Sequence, residues 1–73
     1  MKSIITTKDR WGFFEHQVTT RENLLKQLTW CKENLPELWS ELPALDILKN
    51  INLKGLAELY YKKEIVCISE IKL

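Results

Sequence analysis

The chain has little of what chemistry usually needs. Its 73 residues include one histidine, two cysteines, two glycines and two prolines. The single imidazole, His16, excludes a two-histidine metal site within one chain. It could pair with Glu15 or Asp9, or form a Cys–His arrangement with Cys31 or Cys67. Those two cysteines are too few for a disulfide scaffold and lack metal-ligand spacing. Both lie among apolar residues, where a free thiol behaves as a small hydrophobe. There is no P-loop, GxGxxG, HExxH or CxxC motif. No catalytic residue, metal or cofactor is therefore expected, and the chain reads as a non-enzyme.

Long apolar runs are missing too. The longest is Ile65–Val66–Cys67–Ile68, far short of the roughly 20 residues a spanning helix needs. No apolar stretch precedes the charged Lys8-Asp9-Arg10, so a secretory signal is not expected. The expected location is the cytoplasm, with reduced thiols.

A large charge of one sign is also lacking. The net charge is +1, whereas nucleic-acid-binding domains usually carry a clear basic excess. The charge is nonetheless segregated. Residues 1–32 hold six basic and three acidic side chains, and residues 33–46 hold four acidic and no basic ones. Residues 47–73 hold five basic and three acidic ones.

What is present is an ordered composition, 45% hydrophobic and 29% charged. The length allows one core, so residues 1–73 are read as a single compact domain. Ser3-Ile4-Ile5-Thr6-Thr7 is β-branched, Lys8-Asp9-Arg10 is a polar break, and Trp11 to Val18 is aromatic-rich; together they predict a β-hairpin. Thr19 and Glu22 fit a capping box, opening a helix whose stripe is Leu24, Leu28, Cys31 and Leu35, with Leu25 beside it. That helix should end near Glu33–Asn34. A second start at Asn34-Leu35-Pro36-Glu37 predicts a short helix to about Leu42, before Pro43. Its apolar side would be Leu35, Leu38, Trp39 and Leu42, and Glu33, Glu37 and Glu41 would form an acidic stripe. Leu45, Ile47, Leu48 and Ile51 suggest another short helix, and Leu53, Leu56, Leu59 and Tyr60 a further one, weakened by Gly55. Glu64 to Leu73 is Ile- and Val-rich without a breaker and reads as a strand.

The expected fold is α+β, in the order ββαααβ. A small three-stranded, mostly antiparallel sheet joins the N-terminal hairpin to the C-terminal strand, with two to three helices packed on one face. The alternative is a mainly helical bundle with a small β-ribbon. In the last strand, alternation sends Ile65, Cys67, Ser69 and Ile71 one way and Val66, Ile68, Glu70 and Lys72 the other. Both sheet faces then carry apolar residues while the helices cover only one. A loop, a copy of the chain or a partner should cover the second.

Two function classes follow. The leading expectation is a protein-binding module that inhibits or regulates a larger protein by occupying its surface, of the kind encoded by phages and other mobile elements. Its apolar anchors would be Trp11, Phe13 and Trp30, the last lying roughly 120° from the buried stripe of its helix. Glu37 and Glu41 would form an electrostatic rim. The alternative is a dimeric nucleic-acid-binding regulator whose basic patch is Arg10, Lys54, Lys62 and Lys63. A homodimer belongs to this alternative, and a stable homo-oligomer that binds nothing else would favour a third reading, a structural or assembly subunit.

Overall fold

A run of five residues in which four, Ile4, Ile5, Thr6 and Thr7, are β-branched sets the middle of the sheet. In the computed structural model, which describes residues 2–71, β1 (Ser3–Lys8) pairs antiparallel with β2 (Phe14–Thr19) on one side and β3 (Glu64–Glu70) on the other. The strand order is β2-β1-β3. With α1 (Arg21–Asn34), α2 (Leu45–Leu48) and α3 (Leu53–Tyr61), the element order is ββαααβ. The α+β architecture read from the sequence is thus the one observed. The last strand was expected to run to Leu73; Lys72 and Leu73 lie outside the described residues.

Ser3, Ile5 and Thr7 share the inner face of β1 and are all buried. They meet a cluster of Leu24 and Leu28 from α1, Leu42, Leu48 from α2, and Leu56 and Ala57 from α3. Ile65 and Ile68 of β3 pack against the same cluster. That pairing of positions corrects the simple alternation expected for β3, because Ile65 and Ile68 are three apart. The register shifts between Thr6 and Thr7, which face Cys67 and Ile65, leaving Val66 as the extra residue of a bulge. The bulge lets both isoleucines reach the core.

Helix α1 begins one residue later than the sequence implied. Thr20, not Thr19, is the N-cap, and its side chain accepts the Asn23 amide at 3.0 Å. Thr19 is claimed by the sheet as the partner of Ser3, so Glu22 falls one position short of a capping box. The buried stripe is Leu24, Leu28 and Cys31 as expected, but Leu35 is the C-cap and is exposed. At α3, Asn52 caps by accepting the Gly55 amide at 2.9 Å. Gly55 is there for room: a Cβ would collide with Ile51 Cγ2.

The predicted helix over 36–42 is absent. Residues 35–44 form turns held by single bonds such as Trp39 N–H to Leu35 O (3.1 Å) and Leu42 N–H to Trp39 O (3.2 Å). A segment this short between two prolines cannot offset helix nucleation, and Leu35 already terminates α1. The expected apolar side separates accordingly. Leu42 is buried and Trp39 packs on the core, whereas Leu38 is 70% exposed. Arg21 then ties α1 to the α2–α3 connection: its Nε donates to Ile51 O at 3.0 Å and its guanidinium also reaches Lys49 O, satisfying carbonyls between α2 and α3.

Thr7 carries one unmet cost, since its Oγ1 is buried with no hydrogen-bond partner among the described residues. Thr7→Val keeps the shape and removes the unpaired hydroxyl, so it should raise the unfolding free energy by about 1 kcal/mol. Urea denaturation with an unchanged slope would register the gain; a loss of stability would mean the hydroxyl is paired.

Candidate functional site

Because the three helices share one core with Ile5, the other face of the sheet has no cover among the described residues. Register places Phe14, His16 and Val18 of β2 opposite Lys8, Thr6 and Ile4, and Thr6 and Ile4 in turn opposite Cys67 and Ser69. Phe14 is 57% and Val18 60% exposed on this face. The β1–β2 loop adds Trp11 and Phe13, each 69% exposed. Its shape is fixed by Asp9, whose Oδ1 accepts the amides of Trp11 (2.9 Å) and Phe13 (3.0 Å), and by Gly12, whose φ of +86° suits only glycine.

The residues expected to meet a partner are therefore brought together only in part. Trp11 and Phe13 share the hairpin tip. Trp30 sits on α1 beside Lys26 and Gln27, 54% exposed, in the helix layer and not on the open sheet face. Glu37 borders a shallow depression with residues 34–38. The acidic stripe does not form, because Glu37 and Glu41 are on turns where a helix was expected. Glu41 instead lines a cleft of about 340 Å³ with Leu38, Trp39, Leu42 and Lys62. Phe14 and Val18 were not among the expected anchors. Their period-two spacing was the available signal, once one-sided helix cover was assumed.

The basic residues converge better. Arg10 lines an open cleft of about 550 Å³ with Lys8, Asp9, Trp11, Lys62, Lys63 and Glu64. Lys54 joins Lys62 and Lys63 in an adjoining groove of about 530 Å³. Tertiary packing orients these cations. The Lys62 backbone is left-handed (φ 56°), ending α3 and setting its Nζ 4.3 Å from the Trp39 ring centroid. Trp39 stacks on Tyr60, with centroids 6.2 Å apart. Arg10 lies 4.4 Å from the Trp11 ring centroid. Lys63 is paired with Glu15 at 3.1 Å, while Lys8, Arg10, Lys54 and Lys62 have no carboxylate within 4.0 Å among the described residues. Nearby, burial and then the adjacent Tyr60 raise the Tyr61 phenol above its ordinary 10.0, leaving it neutral at physiological pH.

His16 and the two cysteines are not brought together. His16 Nδ1 is 2.9 Å from Thr6 Oγ1. Cys67 faces the same Thr6 from the opposite strand, so two strand spacings, roughly 10 Å, separate it from His16. Cys31 is buried. Among the described residues no group of three His, Cys, Asp or Glu is placed to hold a metal ion, and no helix is long and apolar enough to cross a membrane. Comparison with protein-family models, curated proteins and solved structures found no match to this chain.

The hairpin tip depends on one carboxylate. Asp9→Ala should lower stability by about 1 to 2 kcal/mol and speed hydrogen exchange at the Trp11 and Phe13 amides. Unchanged exchange there would show that Gly12 alone shapes the loop.

Proposed function

We propose that this chain is a non-enzymatic protein-binding module that regulates or inhibits a larger protein by occupying its surface. The observation that carries this reading is the uncovered sheet face of Phe14 and Val18, next to a rigid loop presenting Trp11 and Phe13. Aromatic side chains at this exposure cost solvation in the free chain and are the type that dominates binding hot spots. The loop is preorganised by the Asp9 turn, so little ordering entropy is lost on docking. Glu41, sharing Lys62 as a neighbour with the Trp11 cleft, would sit at the rim of such an interface. Glu37 and Trp30 are then peripheral to it.

The test is capture of stoichiometric partners from native cells with the tagged full chain, followed by affinity measurement. Trp11→Ala and Phe14→Ala should each weaken binding about fivefold or more, roughly 1 kcal/mol, with the thermal midpoint unchanged. A partner lost only with Trp30→Ala would move the interface to the helix layer and overturn this placement.

A second reading is supported by the convergence of Arg10, Lys54, Lys62 and Lys63 at one end of the molecule, beside an aromatic ring. That combination suits contact with a nucleic-acid backbone and a stacked base. Its signature is a steep dependence of binding on salt, with Lys62→Ala reducing the log–log slope by about one for a phosphate contact. A flat salt response in fluorescence anisotropy with single-stranded oligonucleotides would exclude it.

A further inference from the structure

We propose that the free edge of β2 is a self-pairing surface, joining two copies of this chain through a symmetric antiparallel β2–β2 ladder into one six-stranded sheet. The proposal is independent of which partner the exposed face binds.

Backbone parity decides which groups are free. The Asp9 amide donates to Phe13 O at 3.0 Å, so Asp9 and Phe13 form a hydrogen-bonded pair of the β1–β2 ladder. Alternation then makes Thr7–Glu15, Ile5–Gln17 and Ser3–Thr19 the bonded pairs. The N–H and C=O groups of Phe14, His16 and Val18 consequently point away from β1, along an edge with no neighbouring strand. Three matched donors and acceptors at spacing two form a complete template for another strand.

The other edge is protected. Ile71 N–H donates to Lys2 O at 2.9 Å, which turns the backbone of Ile68 and Glu70 outward. The bulge at Val66 breaks that parity before a third position is reached. Acidic residues Glu64 and Glu70 bound the strand, and α3 packs against it. Bulges and charges of this kind are how natural edges avoid pairing. By contrast, β2 is regular and carries neither proline nor lysine, and its one acidic residue, Glu15, is paired with Lys63 of the same chain.

Charge and shape select a second copy as the occupant and fix the register. Antiparallel pairing about a two-fold axis through His16 sets His16 opposite its symmetry mate and Phe14 opposite Val18 of the other chain. All three outward-pointing residues are then bonded. On the inner face Glu15 meets Gln17, an amide donor for its carboxylate; within one chain that same pair is already 3.2 Å apart. Sliding by one pairing step toward the loop would set Glu15 against Glu15, which is repulsive. Sliding the other way would set Phe14 against Thr20, outside the strand. Glu15 is exposed on the helix side, so the helices leave the approach open. Aromatic–β-branched contacts between Phe14 and Val18 would form on both sides of the axis.

Sedimentation velocity of the full chain over a concentration series should show a monomer–dimer equilibrium. His16→Pro removes an outward amide without touching the β1–β2 ladder, and should raise the dissociation constant about tenfold or more while circular dichroism stays unchanged. Should that variant misfold, a cross-link decides instead. In a Cys67→Ser background, His16→Cys should form an interchain disulfide on mild oxidation, its mate lying about 5.5 Å away. Gln17→Cys should not, being roughly 8 Å from its own mate by strand geometry. A chain that stays monomeric at all concentrations overturns the proposal. So does a dimer that a folded His16→Pro leaves intact, or one that cross-links equally well through position 17.

Discussion

Pairing of β1 on both sides is the interaction on which the other elements depend. Among the described residues it is the only strand with two neighbours, and its inner face supplies the fully buried Ile5 and Thr7. Every helix contributes to the cluster that closes over Ile5. Long-range closure is required, since β3 lies at the far end of the chain and must return to β1 before the core exists. Without that ladder, α1 and α3 would have only each other and α2 to cover their apolar stripes. The unpaired Thr7 hydroxyl is tolerated at this position because the central strand cannot shift to satisfy it without losing two ladders.

The helices pack on one face of the three-stranded sheet, and among the described residues no element covers the other. The consequence is an asymmetric molecule. One side is a packed core of Leu, Ile and Ala, and the other presents Phe14, Val18 and the aromatic tip. The functional reading proposed above follows from that asymmetry. His16 is occupied by Thr6 and Cys67 lies on the far strand, so proximity effects are lost. Lys8, Arg10 and Lys62 are held above aromatic rings while Lys63 is paired with Glu15, which leaves the charge of the first three available to an anion.

The two edges of the sheet differ for a local reason. β3 has one residue more than its partner requires, and the bulge both brings Ile65 and Ile68 inward and spoils the outer edge as a template. β2 has no such insertion. An accommodation made for core packing therefore also determines which edge is open to a neighbouring strand.

Much of this was legible in the chain itself. The β-branched run at 3–7, the Leu24–Leu28–Cys31 stripe, the Leu53–Leu56–Tyr60 stripe and the Ile-rich C-terminal segment each carry the period of the element they form. Local periodicity and breakers thus determined the order ββαααβ. Tertiary structure decided the rest. Sheet pairing took Thr19 from the helix and moved the cap to Thr20. Competition between helix nucleation and two prolines dissolved the expected 36–42 helix, and with it the acidic stripe. The bulge at Val66 depends on how β3 must meet both β1 and the core, which no window of β3 alone encodes. Convergence of Arg10 with Lys62 and Lys63, and separation of Trp30 from Trp11 and Phe13, arise from contacts between residues far apart in sequence. Local energies act along the chain, whereas a binding surface is assembled across it.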